Sequence, residues 1–94
     1  MVIQDLIDLN QGVIDATTVN AGVLADLVTA EAAYETAWSN LDNKISSGNL
    51  SQIQAAWAAF GTASDARGAL LSKYLLSQKD VGQNCTDAFQ HLVQ

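Results

Sequence analysis

Ser46-Ser47-Gly48-Asn49 divides this chain of 94 residues into two nearly equal arms of helix-forming sequence. Asparagine and serine side chains bond back to nearby backbone, and glycine lets the chain reverse without steric cost. No proline occurs anywhere, so neither arm holds the residue that most firmly stops a helix. The stretch is therefore read as a turn at 46–49. The pattern predicts one all-α domain over residues 1–94, built on an antiparallel helical hairpin.

Working outward on the first arm, Ile3, Leu6, Asn10, Val13, Thr17, Asn20, Leu24, Leu27, Glu31, Tyr34, Trp38, Leu41 and Ile45 step alternately by three and four residues. That spacing is the heptad seam of a packed helix. A second stripe, Ile7, Ile14, Ala21 and Val28, runs beside it and makes the apolar face too wide for one partner helix. Thr17 to Gly22 gathers β-branched residues, an asparagine and a glycine, all weak helix formers. A short helix near 2–16 and a longer one near 20–46 are expected, with a break between. The alternative is one continuous helix on the order of 65 Å long.

On the second arm, Asn49 or Ser51 is placed to cap the next helix, and Gln52 stands three residues after Asn49 as a capping box requires. Leu50, Ile53, Ala56, Trp57, Phe60, Ala63, Leu70, Leu71, Tyr74, Leu75, Val81, Cys85, Ala88, Phe89, Leu92 and Val93 keep helical spacing to the end. Gly61 and Gly68, among Ala58, Ala59, Ala63, Ala66 and Ala69, form a small-residue section suited to close approach of another helix. Asp80-Val81-Gly82 reads as a second break. The full expectation is a hairpin with short terminal helices, completing a small up-down bundle.

Hydrophobic residues are 49% of the chain and charged residues 15%, with a net charge of −6. The charge is uneven. Residues 1–43 hold Asp5, Asp8, Asp15, Asp26, Glu31, Glu35 and Asp42 and no lysine or arginine, whereas all four bases, Lys44, Arg67, Lys73 and Lys79, fall in residues 44–94. This balance argues against nucleic acid and anionic membranes, both of which select basic patches. No uninterrupted apolar run long enough for a membrane span is expected. The N-terminus lacks the basic and apolar regions of a signal peptide. The expectation is cytoplasmic synthesis, with export only through a dedicated secretion system.

The residues offer little chemistry. His91 is the sole histidine and Cys85 the sole cysteine. A serine-type triad would need that histidine buried against a carboxylate, and a packing or surface histidine is the simpler reading. Cys85 lacks a basic neighbour in sequence to lower its pKa and reads as a packing residue. A di-iron bundle needs paired Glu-x-x-His motifs, which do not occur, and the scattered glycines make no phosphate loop. Asp5 with Asp8 and Glu31 with Glu35 read as a solvated acidic face. No catalytic, cofactor-binding or metal-binding residue is assigned. Trp38 and Trp57 stand nearly equidistant from Gly48 and come level in a hairpin. Core packing is the plainer reading of the aromatics; the functional one is an interface drawn from Trp38, Trp57, Phe60, Tyr74, Phe89 and Leu92, since aromatics anchor interfaces.

Asn49 opening a helix after a Ser/Gly turn, Arg67 in mid-helix, Lys79-Asp80-Val81 near the end and Phe89 close to the terminus together resemble the needle subunits of bacterial type III secretion systems. The resemblance spans residues 40–90 and implies a helical hairpin that stacks into a hollow filament. That family's turn carries Asn-Pro, and this chain has no proline. The chain is also similar in length and plan to the Trp-x-Gly hairpins exported by type VII secretion, although here Trp57 is followed by Ala58-Ala59-Phe60-Gly61. The leading expectation is a non-enzymatic structural or assembly protein, a homo-oligomer or one that packs on a protein partner. The rival is a small acidic binding module: a chaperone, adaptor or phage-type inhibitor.

Overall fold

The structure, a computed structural model, describes residues 3–93. Two long α-helices pack against each other: α1 (Ile3–Ser47) and α2 (Leu50–Val93). Gly48 and Asn49 connect them. Asn49 Oδ1 accepts the backbone N–H of Gln52 at 3.0 Å, and Gln52 Oε1 accepts that of Asn49 at 3.3 Å, which closes the expected capping box and identifies Asn49 as the cap. The N–H of Gly48 donates to the carbonyl of Lys44 at 2.7 Å. A Cβ at Gly48 would lie 2.7 Å from that same carbonyl oxygen, so the tightness of the turn, with φ in the ordinary range, is what demands glycine there.

The expected breaks and short terminal helices do not form. α1 runs unbroken through Thr17–Gly22 and α2 through Asp80–Gly82, so the helices are two and the four-part bundle is absent among the described residues. Val2, where the first short helix would begin, lies outside those residues. Local preference is overcome in part by side chains. The Thr17 and Thr18 hydroxyls donate to the carbonyls of Val13 and Ile14, satisfying within the helix the groups that would otherwise compete with it. Asn84 Nδ2 likewise donates to the Asp80 carbonyl and Thr86 Oγ1 to that of Gly82. Each weak former costs only tenths of a kcal/mol, up to about 1 for glycine, which packing of the buried stripe readily offsets.

The two helices contribute to two compact units: a turn unit, Ala25–Leu71, and a terminal unit, Met1–Leu24 with Ser72–Gln94. In the turn unit the seam is Leu27, Ala30, Tyr34, Ala37, Leu41 and Lys44 on α1 and Ile53, Ala56, Phe60, Ala63, Arg67 and Leu70 on α2, all buried or half-buried. The Phe60 ring lies 5.2 Å from that of Tyr34 and 5.6 Å from that of Trp38, which sets the register. Counting outward from the turn, Leu41 is level with Ala56, Ala37 with Phe60, and Tyr34 with Ala63. A large side chain meets a small one at each of these levels, the size matching that fills a two-helix interface. Leu41 is fully buried.

In the terminal unit the seam is Leu6, Leu9, Val13, Ala16, Asn20 and Val23 against Tyr74, Ser77, Val81, Asn84, Ala88 and His91. Asn20 Nδ2 donates to Ser77 Oγ at 2.9 Å, and Ser77 Oγ donates to the Tyr74 carbonyl at 2.8 Å. Asn84 is level with Val13, and His91 with Leu6. Half the levels of this unit therefore hold a polar side chain.

This register corrects the expected seam of the first arm at alternate positions. Leu6, Val13, Asn20, Leu27, Tyr34 and Leu41 do lie in it. Their expected companions Ile3, Asn10, Thr17, Leu24, Glu31, Trp38 and Ile45 do not: all but the half-buried Glu31 are exposed. Leu9, Ala16, Val23, Ala30, Ala37 and Lys44 take their places. The reason is steric. Alanines at alternate seam positions let the helices approach closely and leave room for Phe60 and Val81 opposite.

Candidate interaction surface

The six expected interface residues divide between two environments. Phe60 and Tyr74 lie half-buried in the seam, while Trp38, Trp57, Phe89 and Leu92 stand exposed on its flank. In the turn unit the flank carries an aromatic cluster. Trp38 and Trp57 do not stack as a level pair; each rests on Phe60, Trp57 at 6.2 Å. Both remain more than half exposed, at 51% and 62%. Arg67 extends from the seam over the Tyr34 ring, 4.9 Å from its centroid, and its Nε donates to Glu31 Oε2. The bond to Glu31 and its negative charge hold the guanidinium pKa above its ordinary value. Glu31 is thus half of an ion pair and not only part of a solvated acidic face.

The terminal unit has an apolar flank of its own. Ile3, Ile7, Ile14 and Leu24 on α1, and Leu75, Phe89 and Leu92 on α2, are all exposed, Ile3 at 74% and Phe89 at 64%. Cys85 falls in the same α2 stripe and is exposed, where the sequence suggested a packed residue. Across the seam lies the polar flank. There Gly12, Asp15, Ala16, Val19, Ser77, Asp80 and Asn84 line a hollow of about 290 Å³. Gly12 brings Asn84 close: a Cβ on it would meet Asn84 Oδ1 at 2.9 Å. Glutamines hold three acids of this unit in i,i+4 pairs, Gln4 to Asp8, Gln11 to Asp15 and Gln83 to Asp87. His91 is half-buried, as a packing histidine, and its Nε2 is buried without a hydrogen-bond partner among the described residues.

In the turn unit the corresponding flank is a wide, open trough lined by Ala33, Thr36, Ala37, Asn40, Ala59, Thr62, Ala63 and Ala66. It presents methyl and hydroxyl groups and no ionisable one. The glycines expected to meet another helix face open space, with nothing within 4 Å of a Cβ at Gly61 or Gly68. No group of three or more potential metal ligands occurs among the described residues.

The balance of surface is the main signal. The chain leaves 6474 Å² exposed, whereas a folded monomer of 9.9 kDa ordinarily exposes about 5,200 Å². The excess of about 1,300 Å² is larger than the roughly 800 Å² per partner that a standard protein interface covers. α1 also holds an 18-residue window of mean hydropathy 1.3, only 11% buried, long and apolar enough to cross a membrane by length and composition. A search for an uninterrupted apolar run misses it, because its aliphatic residues outweigh interspersed polar ones. The aromatic flank could be anticipated from residue type. Part of the terminal flank is legible too, in the second stripe of Ile7 and Ile14 and in Phe89 and Leu92; Ile3 and Leu24 are not, because heptad spacing places them in the seam. Compared with known proteins, the chain matches no family model, no curated protein and no solved structure.

Proposed function

We propose that this protein is a non-enzymatic structural component that acts by assembly, covering its apolar flanks against copies of itself or a protein partner. The observation that carries the reading is the placement of large apolar side chains. Among the described residues only Leu41 of these is fully buried, while Ile3, Ile7, Ile14, Trp38, Trp57, Phe89 and others stand in solvent. Exposed apolar patches of this extent mark interaction surfaces, and a two-helix hairpin cannot enclose them by itself. The expected filament role in a secretion apparatus is a narrower form of the same proposal. It draws on the hairpin plan and on the resemblance over residues 40–90.

Light scattering and electron microscopy of the purified chain test the proposal. The expected result is a species of at least twice the 9.9 kDa chain mass, with helix content rising on association. A monomer that stays helical up to high concentration overturns self-assembly and leaves the acidic binding module as the better reading.

A further inference from the structure

The two units differ in where they keep their apolar side chains. The turn unit buries Leu41 and half-buries Phe60, with Trp38 and Trp57 exposed beside it. The terminal unit buries Val23 and Ala88 but sets a polar side chain at half of its levels and leaves more of its large apolar side chains exposed. Its seam holds Asn20, Ser77, Asn84 and His91, while Ile3, Ile7, Ile14, Leu75, Phe89 and Leu92 lie outside. A polar seam supplies little of the burial that holds helices together, about 25 cal/mol per Å² of apolar surface. An apolar flank left in water supplies none.

We infer that the terminal unit is completed by a second copy of this chain, seated flank to flank on the stripe of Ile7, Ile14, Leu75, Phe89 and Leu92. This deepens the assembly proposal and rests on it. Charge favours a second copy over other occupants. The heptad positions of the apolar flank and its outer rim on α1 hold Gln4, Asn10, Gln11, Thr17 and Thr18 as their only polar groups. The same positions on α2 hold one charge, Lys79. Every acid of the unit (Asp5, Asp8, Asp15, Asp80 and Asp87) falls at positions on the polar flank. Two copies can therefore meet on this flank without bringing their acids together, although each carries a net charge of −6. A charged partner would find only Lys79 to complement there, and a single lysine is no basic rim for an anionic membrane. Counted over the whole chain, the surface in excess of an ordinary monomer is larger than one side of a standard interface. When one patch meets itself, the assembly closes as a two-fold dimer.

Cys85 lies in the stripe and is exposed in the single chain, so it reports coverage without any mutation. The test measures its alkylation rate and the sedimentation mass of the full chain across a range of concentrations. Expected are a dimer and a rate that falls at least ten-fold as the dimer forms. Phe89→Ser and Ile14→Ser should each weaken dimerisation ten-fold or more while the diluted chains keep their circular-dichroism spectrum. Val19→Ser, at an exposed position on the polar flank, should leave dimerisation unchanged. An oligomer in which Cys85 reacts at the monomer rate, or which Val19→Ser disrupts and Phe89→Ser does not, overturns this interface but leaves assembly standing. A helical monomer at every concentration overturns both this interface and self-assembly. If that monomer instead floats with zwitterionic lipid vesicles, the occupant of the flank is a membrane, and the inference is likewise overturned.

Discussion

Leu41 and Phe60 show how little side-chain volume secures the turn unit. Leu41 is fully buried and level with Ala56, which is too small to fill the space a truncation would leave. Leu41→Ala is expected to lower unfolding free energy by about 3 kcal/mol, read as a shift in the urea midpoint. A shift near zero would mean that the seam collapses around the gap. The neighbouring Arg67–Glu31 pair is different in kind. Both side chains are about two-fifths exposed, so solvent screens the attraction, and removing the carboxylate should move the midpoint far less than Leu41→Ala. Arg67 occupies a seam position because its apolar stem can lie in the groove while its guanidinium reaches the Tyr34 ring and Glu31.

Along the helices, the heptad repeat was legible and its phase was not. The repeat is a matter of spacing, and Leu6, Val13, Leu27, Tyr34 and Leu41 reveal it whatever their partners are. Phase depends on which neighbouring stripe faces the other helix. On size alone, Ile3, Leu24, Trp38 and Ile45 outrank Ala16, Ala30 and Ala37. The alanines win because close approach of two backbones buries more than one bulky residue gains, a property of pairs that one arm read singly does not display. The weak helix formers at Thr17–Gly22 and Asp80–Gly82 break neither helix for a related reason, since local preference is small beside packing. The Asn20–Ser77 level carries a further expectation. Ser77→Ala leaves Asn20 Nδ2 half-buried without its acceptor and should cost about 1–2 kcal/mol. Replacing both, with Asn20→Leu and Ser77→Ala, should restore or exceed the original stability. That variant should also lose uniqueness of register, seen as doubled peaks in an amide NMR spectrum. A single sharp set of peaks would show that size matching alone fixes the alignment.

For the whole molecule, the levels of the seam are symmetric about Gly48-Asn49, and this has a kinetic consequence. Joining Leu41 to Ala56 closes only a short loop, and the entropy of loop closure rises slowly with length. Each level, once formed, brings the next within reach. Leu41/Ala56 thus leads to Ala37/Phe60, then Tyr34/Ala63, and much later to Leu6/His91. Folding is then a zipper that starts at the turn and needs no search for distant partners, the behaviour of chains with mostly local steps. Amide hydrogen exchange at high dilution should follow that order, slowest between Ala25 and Leu71 and faster toward both ends; uniform exchange would contradict it. During synthesis, residues 1–24 leave the ribosome long before residues 72–94 exist to pair with them. The greasy stripe of Ile3, Ile7 and Ile14 is made before its partners and stays in water even after α2 has paired, so whatever meets it first, nascent neighbour or chaperone, has the first opportunity to decide the fate of the chain.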